Sequence, residues 1–289
     1  MSCWLLAKKG EGVLSKPLLA VGALLMALAL GCRQSFVICA LLAIPLFWDE
    51  IVQHRAFFSR KGVLNTALVI VPFLLVGAAA MLYNEARFGS PFDFGASCNL
   101  ASNDMTQRGF EWARFPLGVF AYLFQPLSVS SAFPYLFTTD VMGDYQGFTS
   151  SEPMFGGFYA FNVVALAAFA LFSMRFEVPK QTRAFGIVAL GLGVVLVLFD
   201  IQASGITARY LSDFSFLLML PASIAMLALF KRLRGSGRER LFVAACFAGV
   251  LACVVLNCWA LFIDGRFSPL KDSVPFLCYG VKQTLSFLW

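Results

Sequence analysis

The chain has 289 residues, of which 60% are hydrophobic and 13% charged, about half the roughly 25% charged content of an ordinary soluble domain. That balance excludes a water-soluble globule. The net charge of +6 is not a nucleic-acid footprint, because no basic patch is interleaved with aromatics on a soluble domain; it reads as loop charge at a membrane surface. The single histidine, His54, and eight cysteines without a CxxC pair argue against a zinc or haem centre.

Taken in order, the first sixteen residues carry Lys8, Lys9 and Lys16 and one acid, Glu11. The first apolar run, from Pro17, is followed by more membrane and no cleavage site, so a removable leader is not expected. Residues 17–48 would make a helix of about 48 Å, overlong for a hydrocarbon core of roughly 30 Å, and CRQS (Cys32 to Ser35) interrupts it. Clear apolar spans follow at 63–83, 156–174, 184–201, 214–230 and 241–263. The reading is an all-α polytopic membrane protein of about seven crossings, five clear spans plus a short hairpin at 17–48 that either crosses twice or re-enters, forming one membrane domain over 1–289.

Lysine and arginine set the orientation. With a hairpin turning at Arg33, the inner segments hold Lys8, Lys9, Lys16, Arg55, Arg60, Lys61, Arg175, Lys180, Arg183, Lys231, Arg232, Arg234, Arg238 and Arg240, which is 14 of the 22 basic residues. A single crossing at 17–48 would invert every later loop. The expectation is a plasma (inner) membrane protein with a cytoplasmic N-terminus and an exterior C-terminus.

The long segment 84–155 is then exterior. It carries Glu85, Asp93, Asp104, Glu111, Asp140, Asp144 and Glu152 against Arg87, Arg108 and Arg114, and FPLGVFAYLFQPL from Phe115 reads as an interfacial stretch punctuated by prolines. Cys98 and Cys278 can both fall on this side, where they could pair. The opening of the segment, YNEARFGSPFDFG, combines a turn set by Gly89 and Pro91 with Phe88, Phe92 and Phe94 as interface anchors; its charges are either solvated or part of a site.

Arg33, at the hairpin tip, is either a cation for a phosphate or a snorkelling turn residue. Asp200, ending a span, reads as an interfacial residue. In ASGITARYLSDF, Arg209, with Tyr210 and Asp213 beside it, stands where the next helix begins: Arg209 and Asp213 share a face and can pair, or Arg209 can meet a lipid phosphate together with the free N–H groups of the helix start. No Ser/His/Asp arrangement, P-loop or GxGxxG is present. No cofactor can be read, although acidic loops and lipid phosphates can share a divalent metal.

In order, YNEARFGSPFDFG, AYLFQPLSVSSAFPYLF, SEPMFGGFYAF and TARYLSDFSFLLMLP resemble the C-terminal half of bacterial membrane glycosyltransferases of the GT-C superfamily, of the protein-mannosyltransferase and aminoarabinose-transferase type, and ALALGCRQSFVICALLAIPLF is similar to a mid-chain hairpin of those proteins. The resemblance implies a transferase taking a hexosyl or pentosyl unit from a polyprenyl-phosphate donor at the exterior face. In that family an acid on the first exterior loop deprotonates the acceptor, and later basic residues hold the donor phosphate. The second role maps onto Arg209, and also Arg33 and Arg87. The first has no counterpart before Pro17, which leaves Asp93 and Glu85 as the acids within the chain, or a partner polypeptide supplying the amino-terminal half. The alternatives are a non-catalytic membrane subunit or truncated relative, and a transporter or lipid flippase, which would need charged or broken helices at mid-membrane depth and related halves.

Overall fold

The computed structural model describes residues 1–10, 12–95, 98, 109–141, 145–148, 151–175, 177–203, 205–262 and 269–285. Glu11, Asp104, Arg108 and Asp144 lie outside them. Helix makes up 71%, and no strand is present among the described residues. The chain divides into two compact units, residues 1–107 with 179–192, and residues 108–178 with 193–289.

In the first unit, α1 (Ser2–Ala7) packs on α2 (Lys16–Cys32), which starts with Pro17 in its first turn, where the missing N–H costs no hydrogen bond. The fully buried Trp4 donates from its indole to the Leu19 carbonyl at 3.2 Å, and its ring lies where a Cβ on residue 22 would stand, so only Gly22 fits. The chain breaks at Arg33, whose backbone is extended at φ −152°, and continues as a 3-10 segment over Gln34–Leu42 that packs on α2. Two short helices follow, α3 (Ala43–Leu46) and α4 (Trp48–Val52). Trp4, Leu19, Ala23, Leu46, Phe47 and Phe57 form the core, with Phe73 and Phe185 packed against it.

A helix-end carbonyl lacks a donor within its own helix, and that of Leu46, closing α3, finds two elsewhere. Lys8 Nζ donates to it at 2.9 Å, and so does Gln181 Nε2, also at 2.9 Å. Lys8 also pairs with the buried Glu50 at 3.1 Å.

The loop after α4 is held by the start of α5 (Val63–Phe88). Asn65 donates to the Ala56 carbonyl, and Thr66 Oγ1 accepts from the Phe58 N–H at 2.8 Å while donating to the Gly62 carbonyl. Gly62 is required here, since a Cβ would stand 2.5 Å from the Ala56 backbone. α5 runs 26 residues, about 39 Å at 1.5 Å per residue, and Asn84 is its one buried residue. It stops at Gly89, which takes the left-handed conformation at φ +71° and returns its N–H to the Glu85 carbonyl.

The second unit opens with α6 (Arg114–Val119), which widens into one π turn over Phe120–Phe124. The run after this turn, up to residue 157, folds back on itself through single antiparallel bridges at Val129–Leu136 and Thr139–Met154. α7 (Phe158–Phe161) and a 3-10 segment over Val163–Phe172 come next, separated by Asn162 at φ −128°. The second half of α8 (Lys180–Ala203) belongs to this unit and buries Leu196, Val197 and Ile201. A 3-10 turn, Ala208–Tyr210, leads into α9 (Leu211–Leu233), which packs along the 163–172 segment and buries Phe214, Leu217, Leu218 and Ala225. α10 (Glu239–Trp259), α11 (Pro269–Ser273) and α12 (Pro275–Leu285) complete the described chain.

Among the described residues, four stretches are long and apolar enough to cross a membrane, Val63–Phe88, Lys180–Ala203, Ala208–Leu233 and Glu239–Phe262, and they contain four of the five expected spans to within a residue. The fifth, 156–174, is not a single helix: Asn162 divides it, its side-chain amide turning back to the Phe158 carbonyl at 3.2 Å. The interruption expected within 17–48 falls at Arg33. α2 rises about 25 Å, short of a core of roughly 30 Å, so the expected count of about seven is not reached by long helices alone. None of the eight cysteines is joined in a disulfide.

Candidate functional site

The candidate residues fall in both units. In the first, Glu85 and Arg87 are part of α5, whose last turn extends past the apolar run. Arg87 is exposed; its guanidinium donates to the Tyr83 hydroxyl at 2.9 Å and lies 5.2 Å from the centre of the Phe88 ring, a cation held on aromatic faces. Glu85 is exposed. Asp93 sits beyond the turn, and its Oδ1 accepts the Gly95 N–H at 2.8 Å, the local closure favoured by aspartate. Buried Asn84, which sequence reasoning passed over, ties the helix end to that turn by donating to the Pro91 carbonyl at 3.3 Å. Arg33 is half-buried at the break after α2.

The second unit contains a denser polar cluster. Arg209, in the turn entering α9, donates from Nη2 to Glu152 Oε1 at 2.9 Å. The pair is asymmetric: 63% of the arginine side chain is exposed and 9% of the glutamate. Glu152 is fixed from behind as well, its backbone N–H donating to the Ile206 carbonyl at 2.8 Å. The ion pair of Arg209 therefore reaches back 57 residues, where helix spacing alone had suggested Asp213. Asp213 is buried in the first turn of α9, where negative charge complements the helix dipole, with the Ser212 hydroxyl 3.4 Å from its Oδ1. Tyr210 is half-buried beside Arg209.

The loop carrying Arg209 is positioned by Tyr122. Its hydroxyl, at the end of a fully buried ring, donates to the Gly205 carbonyl at 2.8 Å and accepts the Thr207 N–H at 3.1 Å. Burial pushes this phenol well above its ordinary range, and the Asp200 carboxylate adds to the shift while the Thr207 N–H opposes it. It stays a protonated donor. Phe214 and Phe158 close around the ring edge-on, with Tyr122–Phe214 centroids 5.7 Å apart. Asp200, read from sequence as interfacial, is buried.

Farther along the run, Gln125 Nε2 donates to the Met154 carbonyl at 3.2 Å and to the Thr139 hydroxyl. The Trp259 indole donates to the Pro134 carbonyl at 2.6 Å, beneath a stacked Tyr135. Tyr122, Gln125 and Glu152 are functional candidates that sequence reasoning missed. The available signal was that AYLFQPL and SEPMFGG each hold two polar residues among apolar and conformationally special ones; Gly157, for example, would place a Cβ 2.7 Å from the Gln125 nitrogen.

Chemically, the cluster presents one exposed guanidinium on a buried carboxylate anchor. Only the bond to Glu152 occupies the Arg209 guanidinium among the described residues, so its other N–H groups can meet an anion. No protein-family model, curated protein or solved structure matches the chain.

Proposed function

We propose that the chain is a membrane transferase, or the donor-binding portion of one, that takes a sugar carried on a polyprenyl phosphate at the exterior membrane face. The observation carrying this reading is Arg209, an exposed cation at the entry of an apolar helix, aimed by buried Glu152 and by a loop fastened to Tyr122. A guanidinium held this way can accept the donor phosphate and stabilise the charge that develops on it as the sugar departs. Arg33 and Arg87 are secondary cations in this reading, Tyr210 and Asp213 support Arg209, and Glu85 or Asp93 would serve as acceptor base, with an additional polypeptide supplying one if they do not. A divalent metal shared by donor phosphate and carboxylates is compatible with it.

The second reading, a non-catalytic membrane subunit, is favoured by the engagement of Asp93 in closing its own turn with Gly95. Two measurements separate the readings. Purified protein in nanodiscs should bind a polyprenyl phosphate, with Arg209→Gln weakening binding about ten-fold or more, the scale of a lost charge-assisted hydrogen bond. Membranes containing the chain should transfer labelled sugar from the donor. Binding without transfer supports a donor-binding subunit, and absence of both refutes the glycosyltransferase reading.

A further inference from the structure

The first unit holds a groove that the candidate site does not use. It lies between residues 37–47 and α5, has a volume of about 380 Å³, and counts Phe47, Phe57, Val69 and Phe73 among its lining. Its one polar lining side chain, Thr66, is already satisfied by the Phe58 N–H and the Gly62 carbonyl. The groove therefore offers a ligand only dispersion and apolar burial. The apolar stretch of α5 beside it buries no residue, so hydrocarbon is the medium that suits this face.

Phe58 lines the groove beside Thr66 at the start of α5, and with Phe57 it belongs to a loop of unusual charge. Arg55, Arg60 and Lys61 are exposed, and none makes an ion pair among the described residues. The loop is rigid by construction: Asn65 holds Ala56, Thr66 holds Phe58, and the Ser59 hydroxyl bonds both the Arg55 carbonyl and the Gly62 N–H. Arg55 and Phe58 both take left-handed backbone, at φ +47° and +51°, a conformation disfavoured for such residues unless the surroundings enforce it. Phe58, 73% exposed, is presented at the groove by that geometry.

An apolar channel ending at unneutralised cations is complementary to one kind of molecule. We propose that the groove binds an acyl chain of an anionic bilayer phospholipid, whose headgroup is met by Arg55, Arg60 and Lys61. The occupant is a membrane lipid held at the surface of the first unit, independent of the sugar donor. Thr66 to Phe73 spans about 10 Å of helix rise, so the groove takes a stretch of chain and not a whole tail.

The test uses the full chain in nanodiscs containing phosphatidylglycerol or phosphatidylcholine with the same diazirine-bearing acyl chain, followed by peptide mass spectrometry. Phosphatidylglycerol should label peptides covering 37–47 and 57–73 several-fold more than phosphatidylcholine. Replacing Arg55, Arg60 and Lys61 together with Gln should remove that preference, bringing labelling by the two lipids to about equal, while the Lys variant at Arg55 and Arg60 retains it. Ala40→Phe, which fills the groove, should lower labelling by both lipids, with gel filtration reporting that the fold persists. Equal labelling by the two lipids, labelling elsewhere, or displacement by a polyprenyl phosphate but not by unlabelled phosphatidylglycerol each overturns the proposal.

Discussion

Separating Glu152 from Arg209 tests whether the exposed cation is truly aimed by a buried anchor. Fully exposed ion pairs are worth about 0.2–1 kcal/mol, and losing one partner of a fully buried pair costs about 3–5 kcal/mol. Here the arginine is 63% exposed and the glutamate 9%, joined by one 2.9 Å contact and not a two-pronged one. Solvent screens one end only, which puts the coupling at about 1–2 kcal/mol, between those limits. The cycle comprises Glu152→Gln, Arg209→Gln and the double variant, read by reversible unfolding in mixed micelles. In parallel, Glu152→Gln should weaken polyprenyl-phosphate binding even though it leaves the guanidinium in place, because the cation is no longer held. A coupling below about 0.3 kcal/mol, the level at which independent sites simply add, would falsify the anchoring argument, as would donor binding unchanged by Glu152→Gln.

Four further outcomes are expected. Tyr122→Phe strands the Gly205 carbonyl and the Thr207 N–H in a buried setting, so it should destabilise the protein by about 2–4 kcal/mol in a thermal-shift measurement and weaken donor binding. Gly157→Ala drives a Cβ into the Gln125 backbone and should cost about 1–3 kcal/mol, seen as reduced yield of monodisperse protein. Arg87→Gln removes an exposed contact to Tyr83 and Phe88, and melting should move by no more than about 0.5 kcal/mol equivalent. A protease site inserted at Gly235–Ser236 should be cut in inverted membrane vesicles and protected in right-side-out ones; the reverse pattern contradicts the charge-based orientation.

Hydrophobicity made the long helices readable, since length and apolar content are local properties of the chain, and four expected spans overlap α5, α8, α9 and α10. Gly89 likewise marked its turn, because few residues other than glycine accept φ +71°. The end of α5 was less legible. An apolar count stops at Tyr83, whereas the backbone continues helical through Glu85 and Arg87, whose side chains need only water on one flank. The division at Asn162 was hidden because it turns on the backbone of one residue, at φ −128°, with no trace in hydropathy. The polar cluster was the least visible: Glu152 to Arg209 and Tyr122 to Thr207 join residues 57 and 85 positions apart, and no period links such partners.

The carbonyl of Leu46 has a consequence for biosynthesis. One of its two donors, Lys8, is made before it, but the other, Gln181, belongs to a segment separated from the rest of the first unit by residues 108–178. At about 5–20 residues per second, those intervening residues occupy a ribosome for on the order of ten seconds. Throughout that interval the nascent first unit lacks both Gln181 and the Phe185 ring that packs on its core. It is begun first and closed late, so a ribosome stalled before residue 179 would leave in the bilayer an unfinished half whose core lacks that ring, the kind of species that membrane chaperones and proteases are positioned to meet.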